Sequence, residues 1–368
     1  MSAGLDIAFF GSSLVSAYWN GAATYYRGIV RALYERGHRV TFYEPDAYGR
    51  QEHRDIPDPD WARVVIYPGD SEESALKAVE DAAGADFVVK ASGVGVFDEV
   101  LEAAVLDLQT PETLVVFWDV DAPATLDRLE QDPTDPFRAL VPQYDLVLTY
   151  GGGDPVVQAY EGFGARRCVP IYNALDPSTH FPVPPDQRFA AGLGFLGNRL
   201  PDREARVEEF FLAAAAASPD ETFLLGGSGW GDKPLPKNIR YVGHVYTRDH
   251  NAFNCTPTAV LNVSRESMAR YGFSPATRVF EAAGAGGCLL TDAWEGIELF
   301  LEPGSEVLVV RDGQEVADQI RRLTPSRAQK LGAAAQRRIL AAHTYDHRAE
   351  QVETVLGLVG SSPRGVAR

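Results

Sequence analysis

Residues 5–10, Leu-Asp-Ile-Ala-Phe-Phe, form a short apolar run closed by Gly11, Ser12 and Ser13. A brief run without alternation suits a strand buried on both faces, so it predicts a parallel strand. Over residues 22–36 the period changes. Ile29, Val30 and Leu33 fall on one helical face, and Gly37 supplies a stop. Residues 39–44 read as strand again, and the strand–helix–strand order recurs through 85–92, a helix near 96–108, 113–121 and 145–153. The first half is therefore expected to be doubly wound α/β. Residues 176–190 break the pattern with four prolines, which mark an extended linker. A second series then begins with strands near 193–198, 222–229, 239–245, 259–264, 288–292 and 306–310, and helices near 202–217 and 275–285. Residues 314–358 read as helices.

The expected division is 1–180 and 181–340, each a Rossmann-like α/β domain, facing each other across a cleft. Residues 341–368 would add a C-terminal helix packing back on the first domain, followed by a frayed tail. A length of 368 residues supports two domains, since it exceeds what one core usually fills. The net charge of −17 and the lack of a basic stripe argue against nucleic acid and anionic membrane as partners. Cys168, Cys255 and Cys288 are too few and scattered for a disulfide framework or metal cluster, and are expected to be reduced, buried and inert. The start has no basic segment followed by a long apolar one, and no run approaches the ~18 residues of a membrane span. A cytoplasmic location is expected.

The segment richest in chemistry is 265–292. Ser274 suits an N-cap and Pro275 the first helical position, so the free N–H groups of a helix running through Thr277 would face an anion. Arg278 and Glu281 share a face, placing a phosphate-binding cation one turn before an acceptor for two ribose hydroxyls. The small residues from Ala282 to Gly287 let this helix lie close to the sheet. The alternative is an ordinary surface ion pair. Three loops after strands of the second domain, Gly197-Asn198-Arg199, Gly226-Gly227-Ser228-Gly229 and Gly243-His244, converge on one crevice, unless each is only a tight turn.

In the first half, Gly11 and Ser12 with residues 19–24, Trp19 and Asn20 among them, flank the first strand-to-helix turn, where a phosphate or sugar meets backbone. This is no dinucleotide fingerprint: the glycines miss its spacing, and Glu44 lies too far beyond Gly11 for a ribose acid about 20 positions on. Arg27 reads equally as a solvated helix residue. Asp119 and Asp121 close a buried strand, where either carboxylate suits a base for an acceptor hydroxyl, with Trp118 to stack on a sugar. The alternative for Asp121 is a helix cap. His343 and His347 stand four apart without an acid pattern, and an Asp-x-Asp metal reading of 119–121 falls in the wrong half, so no metal is expected.

Together, Asn20-Gly21-Ala22-Ala23-Thr24-Tyr25-Tyr26-Arg27-Gly28, Trp118-Asp119-Val120-Asp121-Ala122-Pro123 and residues 278–292 resemble the CgeB-like (spore-protein-maturation) glycosyltransferases of the GT-B class, over about residues 7–350. The stretch around Glu281 is also similar to the large retaining GT-B class, whose glutamate binds the donor ribose. The resemblance implies transfer from a nucleotide-diphosphate sugar, a UDP-sugar by analogy, to an unknown hydroxyl acceptor, with no separate cofactor. Arg265 and Arg278 with the helix start at Ser274 would take the diphosphate, Glu281 the ribose, and the loop of Gly243 and His244 the base. The acceptor would lie near Tyr18, Trp19, Asn20, Trp118 and Asp121. Two departures stand out: Phe273 occupies the position of a second acid, and Ala22 that of a common histidine. The rivals are a nucleotide-sugar epimerase on the same scaffold and a non-catalytic sugar- or nucleotide-binding protein.

Overall fold

In a computed structural model, which describes residues 4–18 and 20–358, the chain divides into two compact units. The first takes in the chain up to Tyr172 and resumes at Tyr345; the second is Asn173–Thr344. The chain thus leaves the first unit before the proline-rich stretch, earlier than residue 180. Trp19 and the tail from 359 lie outside the described residues.

Seven parallel strands build the first sheet: β1 (Asp6–Phe10), β2 (Arg39–Asp46), β3 (Arg63–Pro68), β4 (Phe87–Ala91), β5 (Leu114–Asp119), β6 (Leu146–Thr149) and β7 (Cys168–Pro170), in the order β3-β2-β1-β4-β5-β6-β7. The edge strand β3 is not among the expected strands although Val64, Val65, Ile66 and Tyr67 form an apolar run; as an edge it leaves Ile66 exposed and buries only Tyr67. At the centre Phe9 stacks on Phe42 at 5.2 Å and meets the edge of Tyr26 at 5.5 Å, which ties β1 and β2 to the helix Ala23–Glu35. The helix Tyr345–Val355 packs on that helix, close enough that a Cβ on Gly28 would sit 2.2 Å from the Tyr345 ring. Arg36 pairs with Glu353 at 2.7 Å. His38 accepts from the Leu5 N–H through Nδ1, which leaves Nε2 to donate to Glu353.

The second unit repeats the architecture with six parallel strands: β8 (Leu193–Leu196), β9 (Phe223–Gly226), β10 (Ile239–Tyr241), β11 (Ala259–Asn262), β12 (Leu289–Asp292) and β13 (Leu308–Val310), ordered β10-β9-β8-β11-β12-β13. Phe195, Phe211, Phe223, Leu261 and Leu290 fill its core. The segment at 202–217 is helical but interrupted by a π-turn at Glu208–Leu212. Among the described residues no helix is long and apolar enough to cross a membrane. Cys168 and Cys288 are buried, which pushes both thiols up to about 12, whereas Cys255 is only half-buried.

One buried acid makes stability depend on pH. Glu102, on the helix Asp98–Ala104, is 3% exposed, and its Oε2 has no hydrogen-bond partner. Burial lifts its carboxyl to about 7, against the pull of Lys90 and Arg128. The folded state therefore holds a proton that the unfolded chain releases near 4.5. Stability from this group is complete below that value and is lost as pH rises through 7. Glu102→Gln, which fixes the neutral form, is expected to exceed the wild type by about 3 kcal/mol at pH 8 and to match it at pH 4. Urea denaturation at both pH values checks this; equal midpoints throughout would refute it.

Candidate functional site

Sheet order in the second unit reverses between β8 and β11, and open parallel sheets take ligands at the carboxyl ends of strands beside such a point. Three arginines gather there: Arg203 after β8, Arg265 after β11, and Arg278 on the helix Thr277–Gly284 that leads into β12. Burial holds Arg203 below its ordinary value, and the charges of Arg278 and Arg265 push it further down. Its Nε is buried without a partner, while Nη2 donates to the Asn198 carbonyl at 2.8 Å. Arg265 is tied to Asp202. Like charges crowded in a partly desolvated corner are costly, and an anion would relieve that cost.

Arg278 is fixed by a 2.8 Å bond from Nη1 to Asn254 Oδ1 and a 3.2 Å bond from Nη2 to the Leu196 carbonyl, at the end of β8. Glu281 faces the Arg278 guanidinium at 3.9 Å and the His180 ring at 4.0 Å, both beyond hydrogen-bond length. Burial raises the Glu281 carboxyl, but Arg278, His180 and His250 outweigh it and hold the group below the usual range, with help from the Thr277 hydroxyl. His250, whose ring nitrogen meets the Val245 carbonyl at 3.2 Å, is held below its ordinary value by burial and by Arg278. The result is a carboxylate kept ionised by surrounding charge, with capacity to accept hydroxyls. Close backbone packing fixes its helix: Cβ atoms on Gly284 and Gly287 would lie 2.4 Å from the Leu175 side chain and 2.1 Å from the Asn254 carbonyl.

This helix does not start where the sequence suggests. Ser274 is buried and is no cap; Ala276 occupies that place, extended at ψ 154° with no side-chain cap. The chain turns through left-handed Gly272 and Phe273, whose N–H donates to the Glu295 carbonyl, and Pro275 keeps Ser274 out of the helix. The first turn then begins at Thr277 with its N–H groups uncapped.

The glycine loops are occupied with one another. Asn198 Oδ1 accepts from the Ser228 N–H at 2.9 Å, Gly227 donates to the Gly243 carbonyl at 2.8 Å, and Arg199 pairs with Glu204 and Asp232. A Cβ on Gly227 would lie 2.2 Å from the Gly197 oxygen, so these glycines serve loop-to-loop approach. His244 is exposed, edge-on to Tyr246 at 4.7 Å, beyond the edge strand β10.

In the first unit most of the expected chemistry is structural. Asn20 is 9% exposed; it accepts from Ser12 Oγ at 2.9 Å and donates to the Ser13 and Ser16 carbonyls at 2.8 and 3.0 Å. Gly11 is required by packing, since a Cβ there would meet the Phe42 ring at 2.5 Å. Asp119 is 0% exposed and accepts from Ser92, Thr125, Tyr160 and the Asp121 N–H, which leaves it no face toward a substrate. Trp118 is sealed in too, donating to Tyr25 at 3.0 Å, so it presents no ring to a sugar. Asp121 heads the helix Ala122–Gln131 through its backbone, without a side-chain cap, and is half-exposed. Tyr18 is 40% exposed and stacked on His53 at 4.0 Å. Arg27 is bidentate to Asp55 rather than solvated.

Arg203, His180, His250 and Asn254 escaped the sequence pattern. They come from a loop, the proline-rich stretch and a helix of six residues, and only the tertiary fold brings them to Glu281 and Arg278. For Arg203 the available signal was a second like-charged residue, Arg199, in the same short loop after Gly197-Asn198.

A family model described as "Glycosyl transferase-like" matches residues 203–354. No curated protein sequence matches the chain. Among solved structures, Anabaena HepE in complex with UDP and glucose is similar at 15% identity and TM-score 0.69, over 96% of this chain and 100% of that one. Sucrose-phosphate synthase from Thermosynechococcus elongatus is 15% identical with TM-score 0.72, over 96% and 98%. An alpha-glucosyltransferase in complex with UDP and a 13-mer DNA is 13% identical with TM-score 0.70, over 96% and 100%. The fold is that of the GT-B glycosyltransferases, with two parallel Rossmann-like sheets.

Proposed function

We propose that the chain is a glycosyltransferase that moves a sugar from a nucleotide-diphosphate donor, a UDP-sugar, to an acceptor hydroxyl without a metal ion. The observation that carries this reading is Glu281, held ionised but unsaturated beside Arg278 at the switch point of the second sheet. Glu281 accepts the two ribose hydroxyls. Arg203, Arg265 and Arg278, with the uncapped helix start at Thr277, meet the diphosphate. In the transfer, the bond between the anomeric carbon and the diphosphate oxygen breaks while one to the acceptor oxygen forms. The acceptor loses its proton, and the leaving diphosphate takes the negative charge. Fixed guanidinium groups stabilise that charge as it develops, the task that a divalent cation performs elsewhere.

The UDP complexes of HepE and the alpha-glucosyltransferase support the choice of nucleotide. The charge of −17 argues against DNA as the acceptor here. Within GT-B, the motifs around Asn20, Trp118 and Glu281 support the CgeB-like branch as its family, with a cytoplasmic site of action.

UDP at 100 times its Kd is expected to stabilise the second unit by ~2.7 kcal/mol, equally with and without EDTA. Thermal denaturation with UDP, GDP, CDP and ADP measures this. Stabilisation abolished by EDTA would overturn the metal-free reading, and no stabilisation by any of the four would overturn the donor site.

A further inference from the structure

The first unit has a cavity of about 690 Å³ that the donor site leaves unused. It opens where β2 and β3 end, and its wall includes Asp46, Tyr48, Ile66, Tyr67, Asp70 and Val96. Carboxyl ends of parallel strands are where such sheets take ligands.

Its most distinctive feature is a rigid aromatic face open to solvent. Tyr48 is 58% exposed, yet it is held at φ 57°, its hydroxyl donates to the Gly95 carbonyl at 2.6 Å, and the Arg50 guanidinium lies 5.1 Å from its ring centroid. Gly95, at φ 106°, has to be glycine, because a Cβ there would sit 2.8 Å from the same ring. A side chain pinned this firmly pays little entropy on binding a ligand. Tyr67, 4% exposed, also lines the wall, and its hydroxyl is buried without a hydrogen-bond partner. Asp46 and Asp70 are exposed at the rim, and among the described residues no Lys, Arg or His lines the cavity.

This lining selects by chemistry. The Tyr48 ring with Ile66 and Val96 offers an apolar bed for the C–H face of a sugar-like ring. The two carboxylates accept from hydroxyls and attract ammonium groups, while phosphate or carboxylate ligands meet the like charge of Asp46 and Asp70 at the rim. We propose that the cavity is the acceptor subsite and takes an amine-bearing polyol ring, of the amino-sugar or aminocyclitol class. Its role as an acceptor site rests on the transferase reading; its ligand chemistry rests on the lining alone.

Saturation-transfer NMR on the full chain, with glucosamine, glucose and glucose 6-phosphate as probes, tests it. Glucosamine is expected to bind best, glucose more weakly and glucose 6-phosphate not at all. Asp46→Asn combined with Asp70→Asn should weaken glucosamine about tenfold or more, with an unchanged melting temperature of the first unit as proof of folding. Glucosamine binding unchanged in the double variant, glucose 6-phosphate binding as well as glucosamine, or no probe binding at all would overturn the proposal. If UDP fails on the wild type while the probe pattern holds, the donor reading falls and the cavity's ligand class stands.

Discussion

Glu281→Gln is expected to weaken UDP binding about 100-fold while the protein stays folded. The carboxylate is the acceptor for two ribose hydroxyls, and hydrogen bonds to a charged group contribute about 1.5–3 kcal/mol each. Glutamine keeps the volume and one acceptor oxygen but removes the charge that Arg278 and His180 face at 3.9 and 4.0 Å. Alanine would be the poorer probe. Both substitutions remove the counter-charge of Arg278, but alanine also removes the side-chain volume and the remaining acceptor, which leaves the guanidinium beside a void and adds to the cost of breaking a buried pair. Calorimetry with UDP and 2′-deoxy-UDP makes the assignment specific. The wild type should discriminate between them by about tenfold, and the variant should hardly do so, because the partner of the missing hydroxyl has itself been weakened. Equal UDP affinity in variant and wild type would remove Glu281 from the site and with it the main support for a donor-binding second unit.

The second large effect is expected from Asp119→Ala, and it concerns folding rather than catalysis. The side chain is fully buried and gathers Ser92, Thr125, Tyr160 and the Asp121 N–H around one carboxylate. Removing it leaves these donors unsatisfied in the interior, at a cost of about 3–5 kcal/mol. The melting temperature of the first unit should fall by about 10 °C. UDP binding by the second unit should persist. A variant that melts like the wild type but has lost transferase activity would restore Asp119 to the chemistry and refute the structural role.

The contrast between Asp119 and Asp121 shows where the sequence is readable. Unbroken apolar runs such as 87–89 and 114–118 announce buried parallel strands, because burial on both faces leaves no other pattern. The doubly wound architecture follows from their order. The direction of a polar side chain at a strand end does not follow. Asp119, the last residue of β5, turns into the unit, and Asp121, two positions on, remains half-exposed, although both fit the same motif. Asn20 and Ser12 were legible as polar residues beside a first turn, but their bonds to each other depend on how that loop folds back.

In the second unit, Arg278 and Glu281 were legible because helical spacing alone puts them on one face. Their histidine partners were not, since His180 arrives from a stretch that reads only as linker. The misplaced helix start has a similarly local cause. Ser274-Pro275 has the composition of a cap, but left-handed Phe273 redirects the chain before the cap can form.

The two chain crossings at Tyr172 and Thr344 have a consequence for biosynthesis. The second unit is an insert, and the helix Tyr345–Val355, which brings Tyr345 against Gly28 and Glu353 against Arg36 and His38, is made only after that insert. At roughly 5–20 residues per second, a ribosome needs about 10–35 s to traverse the insert. Throughout that interval the nascent first unit exposes an unfilled seam along the helix Ala23–Glu35, so its completion waits on synthesis of the second.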